Sequence, residues 1–223
     1  MTSLREKAKK NKIVVKAPTQ ERSRQTVATI LDACSRLLIS EGFYAITTDK
    51  IAKEAGVSIG SLYQFFGNKE SVVQAVVRNV IEEDKRIFSE KMRAISPLPP
   101  ELRIRKMIEL SVETLRHNYI LRSKLSTIQY YVAESSYISE SLKFFQEVVR
   151  YNLPALPGRD MDKVSYLMVN SFIGLTGTMA VDAPENINDD TIIEEVVRMF
   201  YAYLNLPLEN PGPQIQHPKR DFL

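Results

Sequence analysis

Residues 42–69 read GFYAITTDKIAKEAGVSIGSLYQFFGNK, and the punctuation of this stretch decides how the N-terminal third folds. Thr47 and Thr48 can cap a short helix carrying Ile51, Ala52 and Ala55. Gly56 allows a sharp turn, because glycine takes positive φ without a Cβ clash. Ser58 can cap the next segment, Ile59–Phe66. Helix, glycine turn and helix together are the helix-turn-helix arrangement. Ala52, Val57 and Leu62 supply the apolar contacts between the crossed helices, and the small Ala52 and Ala55 let them approach closely. The second helix is left with Ile59, Gly60, Ser61, Tyr63 and Gln64 on its outer side. These small or polar groups can lie in a DNA major groove with the positive helix end towards phosphate. Phe65 and Phe66 read as core aromatics.

Upstream, from Thr19, the residues Val27, Ile30, Leu31, Cys34, Leu37 and Leu38 recur at three- and four-residue spacings, one apolar stripe on a helix that Gly42 closes. Cys34 lies on that stripe and reads as a small buried hydrophobe. Residues 1–18 carry Lys7, Lys9, Lys10, Lys12 and Lys16 with little large apolar content, the pattern of a disordered basic arm. Downstream, Asn68 can cap a long helix with Glu70 in its first turn and an apolar face of Val72, Val73, Val76, Val77, Val80 and Ile81.

Pro97, Pro99 and Pro100 break that helix. Helical patterns resume at about 101–117, 121–133, 137–151, 161–181 and 190–204, with no sustained strand alternation. The chain therefore reads as all-α. The expected division is a basic arm at 1–18, a helix-turn-helix domain at 19–67, a larger helical domain at 68–206 and a loose proline-bearing tail at 207–223. Residues 164–181 carry no charge. Their interspersed Ser, Asn, Thr and Gly, and their length at the short limit for a span, argue for burial in protein and not in a membrane. Ser171, Gly174 and Thr178 form a small face that another helix can approach. The last helix has two apolar rows, one of them containing Val196 and the other Phe200. This surplus apolar surface predicts a homodimer, with Ser171, Gly174, Thr178, Val196 and Phe200 at the interface.

Composition excludes several classes. One cysteine among 223 residues leaves no disulfide framework and no Cys-rich zinc site, and His117 and His217 lie 100 residues apart in sequence. No metal site and no cofactor are expected. The polar, basic start lacks the apolar run of a signal peptide, which predicts a reducing, cytoplasmic setting. There is no Gly-rich phosphate loop, nucleophile elbow or histidine pair, so no enzyme is expected. Residues 1–78 hold 13 Lys and Arg against 7 Asp and Glu, whereas residues 79–223 hold 17 against 20. A basic end on a mildly acidic body points to a polyanion at that end.

The block 42–69 resembles the DNA-binding domain of the tetracycline-repressor (TetR-like) family of bacterial transcription regulators. The matching positions are Gly42, Thr47-Thr48, Ile51-Ala52, Ala55-Gly56-Val57-Ser58, Gly60-Ser61-Leu62-Tyr63, Phe66 and Lys69. The likeness extends over about residues 20–80; the rest agrees in length and helical rhythm. The resemblance implies double-stranded operator DNA as partner, with Thr48, Lys50, Tyr63 and Lys69 towards phosphate and Ser58, Ile59, Gly60, Ser61 and Gln64 in the reading segment. Gln64 is the candidate base reader, since its amide can pair bidentately with adenine. Asp49 stands where some relatives carry a basic residue, and an acid there would repel phosphate.

The resemblance also implies an effector pocket in the second domain. Candidate lining residues are Met107, Leu110, Thr114 and His117, then Tyr130, Tyr131, Phe144, Phe145, Val148 and Tyr151, then Met168, Phe172 and Thr176. Taken singly these read as core; taken together they are an apolar set with a few hydroxyls, as a small-molecule site requires. The expected function is a homodimeric repressor released from its operator by a small apolar or amphipathic effector. The alternative is an effector-independent architectural DNA-binding protein, which an unhollowed second domain would favour.

Overall fold

The structure, a computed structural model, describes residues 21–182, 186 and 188–206. The expected basic arm and C-terminal tail, with His217, lie outside the described residues. Helices follow one another as α1 (Glu21–Ser40), α2 (Thr48–Glu54), α3 (Ile59–Tyr63), α4 (Lys69–Ile95), α5 (Pro100–His117), α6 (Tyr119–Ser126), α7 (Gln129–Val132), α8 (Ser135–Asn152), α9 (Met161–Asp182) and α10 (Asp190–Leu204). No strand occurs among the described residues.

Side-chain caps explain where α2, α3 and α4 begin. Thr47 caps α2 by accepting from the Lys50 amide at 3.2 Å, so Thr48 is the first helical residue and not the cap. Ser58 caps α3 by accepting from the Ser61 amide at 3.0 Å. Asn68 opens α4 with a reciprocal box: its side chain accepts from the Ser71 amide at 2.8 Å, and the Ser71 hydroxyl accepts from the Asn68 amide at 3.2 Å. Each such cap is worth about 1 kcal/mol. Gly42 and Gly56 have φ of +78° and +66°, where a Cβ would be strained.

Two apolar cores form. The first joins the α1 stripe (Ile30, Cys34, Leu37, Leu38) to Ile51, Ala52, Leu62, Phe65 and Phe66, and to Val72, Val73, Val76 and Val77 of α4. It also takes in Leu121, Leu125, Ile128, Val132 and Ile138 from α6, α7 and α8. The second joins Met92 and Ile95 at the far end of α4 to α5, α8, α9 and α10. Apolar packing thus continues across position 68, where the sequence places a domain boundary. Cys34 is fully buried, and burial raises its thiol pKa to about 12.

The segment 121–133, expected as one helix, is two short ones. At the break the Ser126 and Thr127 hydroxyls donate to the carbonyls of Ser123 and Lys124, which closes the last turn of α6 on itself. The uncharged segment 164–181 of α9 is buried on one side only. Val164, Ser165, Met168 and Val169 face inward, while Tyr166, Leu167, Ile173 and Val181 are exposed. No helix of the described residues is long and apolar enough to cross a membrane. Ion pairs tie α10 to α5: Arg105 to Glu194 at 2.5 Å and Arg116 to Asp190 at 2.9 Å.

A Cβ at Gly56 would meet nothing within 4 Å, so its requirement for glycine is conformational alone. Gly56→Ala is expected to lower stability by about 1–2 kcal/mol, read as a shift of the urea unfolding midpoint with an unchanged slope.

Candidate nucleic-acid interface and cavity

The outer surface of the helix-turn-helix is built from side chains that α2 and α3 cannot bury. Ile59, Gly60, Tyr63 and Gln64 are exposed, and Ser61 is half-buried. A Cβ at Gly60 would meet nothing closer than Ser58 Oγ at 3.8 Å, so packing inside the protein does not call for glycine there. The Ser58 and Ser61 hydroxyls lie 2.8 Å apart. Tyr63 reaches back across the turn to Thr48, hydroxyl to hydroxyl at 3.1 Å, which places both expected phosphate ligands together at the start of α2. Gln64 is the C-cap of the five-residue α3, not one of its N-terminal residues.

Two expected phosphate contacts have partners within the protein. Lys69 donates through Nζ to the carbonyls of Phe43 at 3.0 Å and Ile46 at 3.3 Å, and its ammonium sits 4.6 Å from the Phe43 ring centroid. Lys50 pairs with Glu41 at 2.5 Å and donates to the Ala45 carbonyl at 2.9 Å. Both lysines therefore brace the 41–46 loop. Sequence reading missed this, because the loop carbonyls they satisfy have no side-chain signature.

Between the two cores the helices leave a cavity of about 660 Å³, bordered by α4, α5, α6, α7, α8, α9 and α10. That volume is in the range of small-molecule sites. Of the expected lining residues, Met107, Thr114, Tyr130, Phe145, Met168, Phe172 and Thr176 meet there. Leu110, His117, Tyr131, Phe144, Val148 and Tyr151 do not. His117 is exposed at the end of α5, and Tyr131 packs edge-on against Phe43, its ring centroid 6.0 Å away. Phe144 packs edge-on against Phe145, and Val148 and Tyr151 border a separate shallow hollow beside Met92. Leu110 is partly buried against the second core.

The interface expectation needs correction at two positions. Val196 and Phe200 are 5% and 4% exposed, buried in the second core, so they have little surface to give a partner. Gly174 and Thr178 line the cavity, and Ser171 is exposed.

An ion pair in the cavity wall was not anticipated. Arg122 of α6 grips Asp84 of α4 through both terminal nitrogens, at 2.6 and 2.5 Å, and both side chains are 18% exposed. Asp84 continues the apolar stripe Val77, Ile81 and Phe88, an acid where a hydrophobe is due. That was the legible signal. Its partner lies 38 residues away in sequence and left none.

Comparison with known proteins places this architecture. Residues 30–76 match the model of the bacterial regulatory proteins of the tetR family. Residues 30–76 are thus a helix-turn-helix segment of the tetR-family type. It is 38% identical over 53 residues to the HTH-type transcriptional regulator HbdR of an Aromatoleum species, covering 24% of this chain and 23% of that protein. It is 31% identical over 112 residues to the HTH-type transcriptional regulator TtgR of Pseudomonas putida, covering 48% and 53%. The chain thus spans about half or less of the length of these relatives. Among solved structures, a TetR-family transcriptional regulator from Streptomyces coelicolor superposes with a TM-score of 0.59 at 24% identity, over 81% of this chain and 98% of that one. NalD of Pseudomonas aeruginosa does so with 0.60 at 20% identity, over 82% and 97%. At these identities the likeness to the solved structures is one of fold.

The bracing role of Lys69 makes a direct prediction. Lys69→Met keeps the stem over Phe43 but removes both charge-assisted bonds. It should lower unfolding free energy by about 1–2 kcal/mol, measured by urea denaturation without DNA.

Proposed function

We propose that this protein is a homodimeric, ligand-responsive transcriptional regulator that binds operator DNA through α2 and α3, acts as a repressor, and releases DNA when a small molecule fills the cavity. The helix-turn-helix domain is taken as 19–67 and the effector and dimer domain as 68–206. The observation that carries the reading is the cavity itself, walled in part by α4, the helix that also anchors the helix-turn-helix. An architectural DNA-binding protein has no use for such a void. The relatives HbdR and TtgR are named transcriptional regulators, and NalD is described as the secondary repressor of the MexAB-OprM multidrug efflux pump; the repressor assignment here follows that likeness.

On DNA, Thr48 and Tyr63 together contact one phosphate. The bare Gly60 lets the backbone of α3 approach the groove, and Ile59, Ser61 and Gln64 face base edges. Ile59 packs on a thymine methyl, and Gln64 pairs with adenine. Ser58 retains its capping bond and sets the angle of α3, and Lys50 and Lys69 offer remaining N–H bonds and positive charge at the rim. In a dimer the two α3 helices must sit about 34–36 Å apart to enter successive major grooves. An effector that prefers another spacing shifts the population away from DNA by its differential affinity.

Dimerisation uses the unburied side of α9 with α10. Tyr166 and Leu167 are 55% and 48% exposed, and Ile173, Val181 and Met199 extend the patch. Ser171 lies on the same side and allows close approach. A partner helix here removes the apolar surface that one protomer leaves to water.

Two measurements test the proposal. A duplex selected from a random pool by the protein should bind Gln64→Ala about 1–3 kcal/mol more weakly, while random duplex is bound almost as before. Equal loss on both duplexes would show that Gln64 positions and does not read. Leu167→Arg should convert a sedimenting dimer to monomer with unchanged helical content. A wild type that sediments as a monomer at micromolar concentration overturns the dimer.

A further inference from the structure

The cavity is not closed within one protomer. Met168, Val169, Phe172 and Thr176 line it from the inward side of α9, but Ile173, Gly174, Gly177, Thr178 and Val181 line it as well. A helix turns about 100° per residue, so this second group lies on the other side of α9. Tyr166, Asn170, Ile173, Gly177 and Val181 follow one another at spacings of three and four, a single face of the helix. The first half of that face is surface left to water, and the second half borders the void. Exposed lining residues stand on both lips of the opening: Thr127 and Tyr130 on one, and Ile173, Gly174, Thr178 and Val181 on the other. A Cβ at Gly174 or Gly177 would meet nothing within 4 Å, so the space beyond α9 is open there.

The wall gives a ligand few polar holds. The hydroxyls of Ser111, Thr114, Ser126, Thr127, Thr176 and Thr178 donate to backbone carbonyls three or four residues back, at 2.7–3.0 Å. Asp84 and Arg122 neutralise each other. Gln129 and Tyr130 remain, and Tyr130 stands in the lip. Affinity therefore rests on apolar burial, and small-molecule sites bury most of their ligand. An open mouth works against both. Resting on the reading of the cavity as the effector site and of α9 as the dimer face, we propose that the site is shared between subunits: α9 of the second copy closes the mouth, and the site is complete only in the dimer. Charge favours a second copy as the cover. A two-fold contact sets a surface against itself, and residues 164–181 carry no charge to repel their own kind. Binding and dimerisation are then linked, because the affinity a ligand gains from the second copy returns as dimer stability. The effector does not release DNA by splitting the dimer; it acts on a dimer that it tightens.

The test uses the full chain and 6-propionyl-2-dimethylaminonaphthalene, a neutral fluorophore whose emission shifts blue in apolar surroundings. Sedimentation fixes the dimer dissociation constant. Above that concentration the wild type should bind the probe about tenfold more tightly than below it, the gain from removing about 55 Å² of apolar surface from water. Saturating probe should lower the dimer dissociation constant by at least the same factor, and an unchanged constant overturns the shared site. Leu167→Arg and Tyr166→Glu alter the exposed face of α9 without lining the cavity. As monomers of unchanged helical content they should bind weakly at every concentration. Thr176→Trp and Ser111→Phe fill the cavity from two different helices, and each should abolish binding in a protein that remains a helical dimer. If the monomeric variants bind as tightly as the wild-type dimer while the filled variants do not bind, the effector reading stands and the shared site is wrong. If the wild type binds the probe yet sediments as a monomer at micromolar concentration, the dimer and the shared site fall while the cavity stands. If the wild type does not bind the probe, or the filled variants bind it unchanged, the cavity reading falls and the shared site with it.

Discussion

Everything in this molecule depends on one helix belonging to two cores. α4 runs 27 residues, about 40 Å at 1.5 Å per residue. Its first two turns bury Val72, Val73, Val76 and Val77 against the helix-turn-helix, and its last turn buries Met92 and Ile95 against α5 and α8. Each of those valines is worth about 1.5–3 kcal/mol when fully buried. Neither core can shed the helix without losing a large part of its own stability. The middle of α4 is different. Glu82, Glu83 and Glu90 pair with Lys85 and Arg86 along exposed faces, and Asp84 turns inward to Arg122. The rod is thus fixed at both ends in separate cores and borders the void along its middle.

α6 and α7 make this connection double. Their apolar residues Leu121, Leu125, Ile128 and Val132 are buried with the α1 stripe, although they lie far along the chain from it. The N-terminal third is thus held by α4 from below and by α6–α7 from the side, and the same two elements wall the cavity. The walls of the void are thus also the supports of the helix-turn-helix.

The helix-turn-helix was legible because its signals are local. Caps at Thr47, Ser58 and Asn68, a glycine at the turn and a 3.6-residue apolar stripe all act within a few residues, and the structure uses each of them. Helix content downstream was legible for the same reason, down to the proline break near 97–100. What depends on tertiary placement was not. Seven of the proposed lining residues meet at the cavity and six do not, since apolar periodicity says which face of a helix is buried but not against what. Val196 and Phe200 show the same limit: two apolar rows on α10 announced a surplus, yet both rows are largely absorbed by the protomer and the exposed surplus sits mainly on α9. Lys69 and Lys50 read as free cations because the carbonyls they bind belong to a loop whose shape no residue pattern records.

Cys34 has a consequence of its own. It is the chain's sole sulfhydryl, it sits in the middle of α1, and burial keeps it in the unreactive protonated form at neutral pH. Alkylating reagents can reach it only when the amino-terminal domain breathes open. The protein therefore carries a natural clock at a single atom: the rate at which that sulfur is capped counts openings of the domain, and anything that clamps the domain shut slows the count.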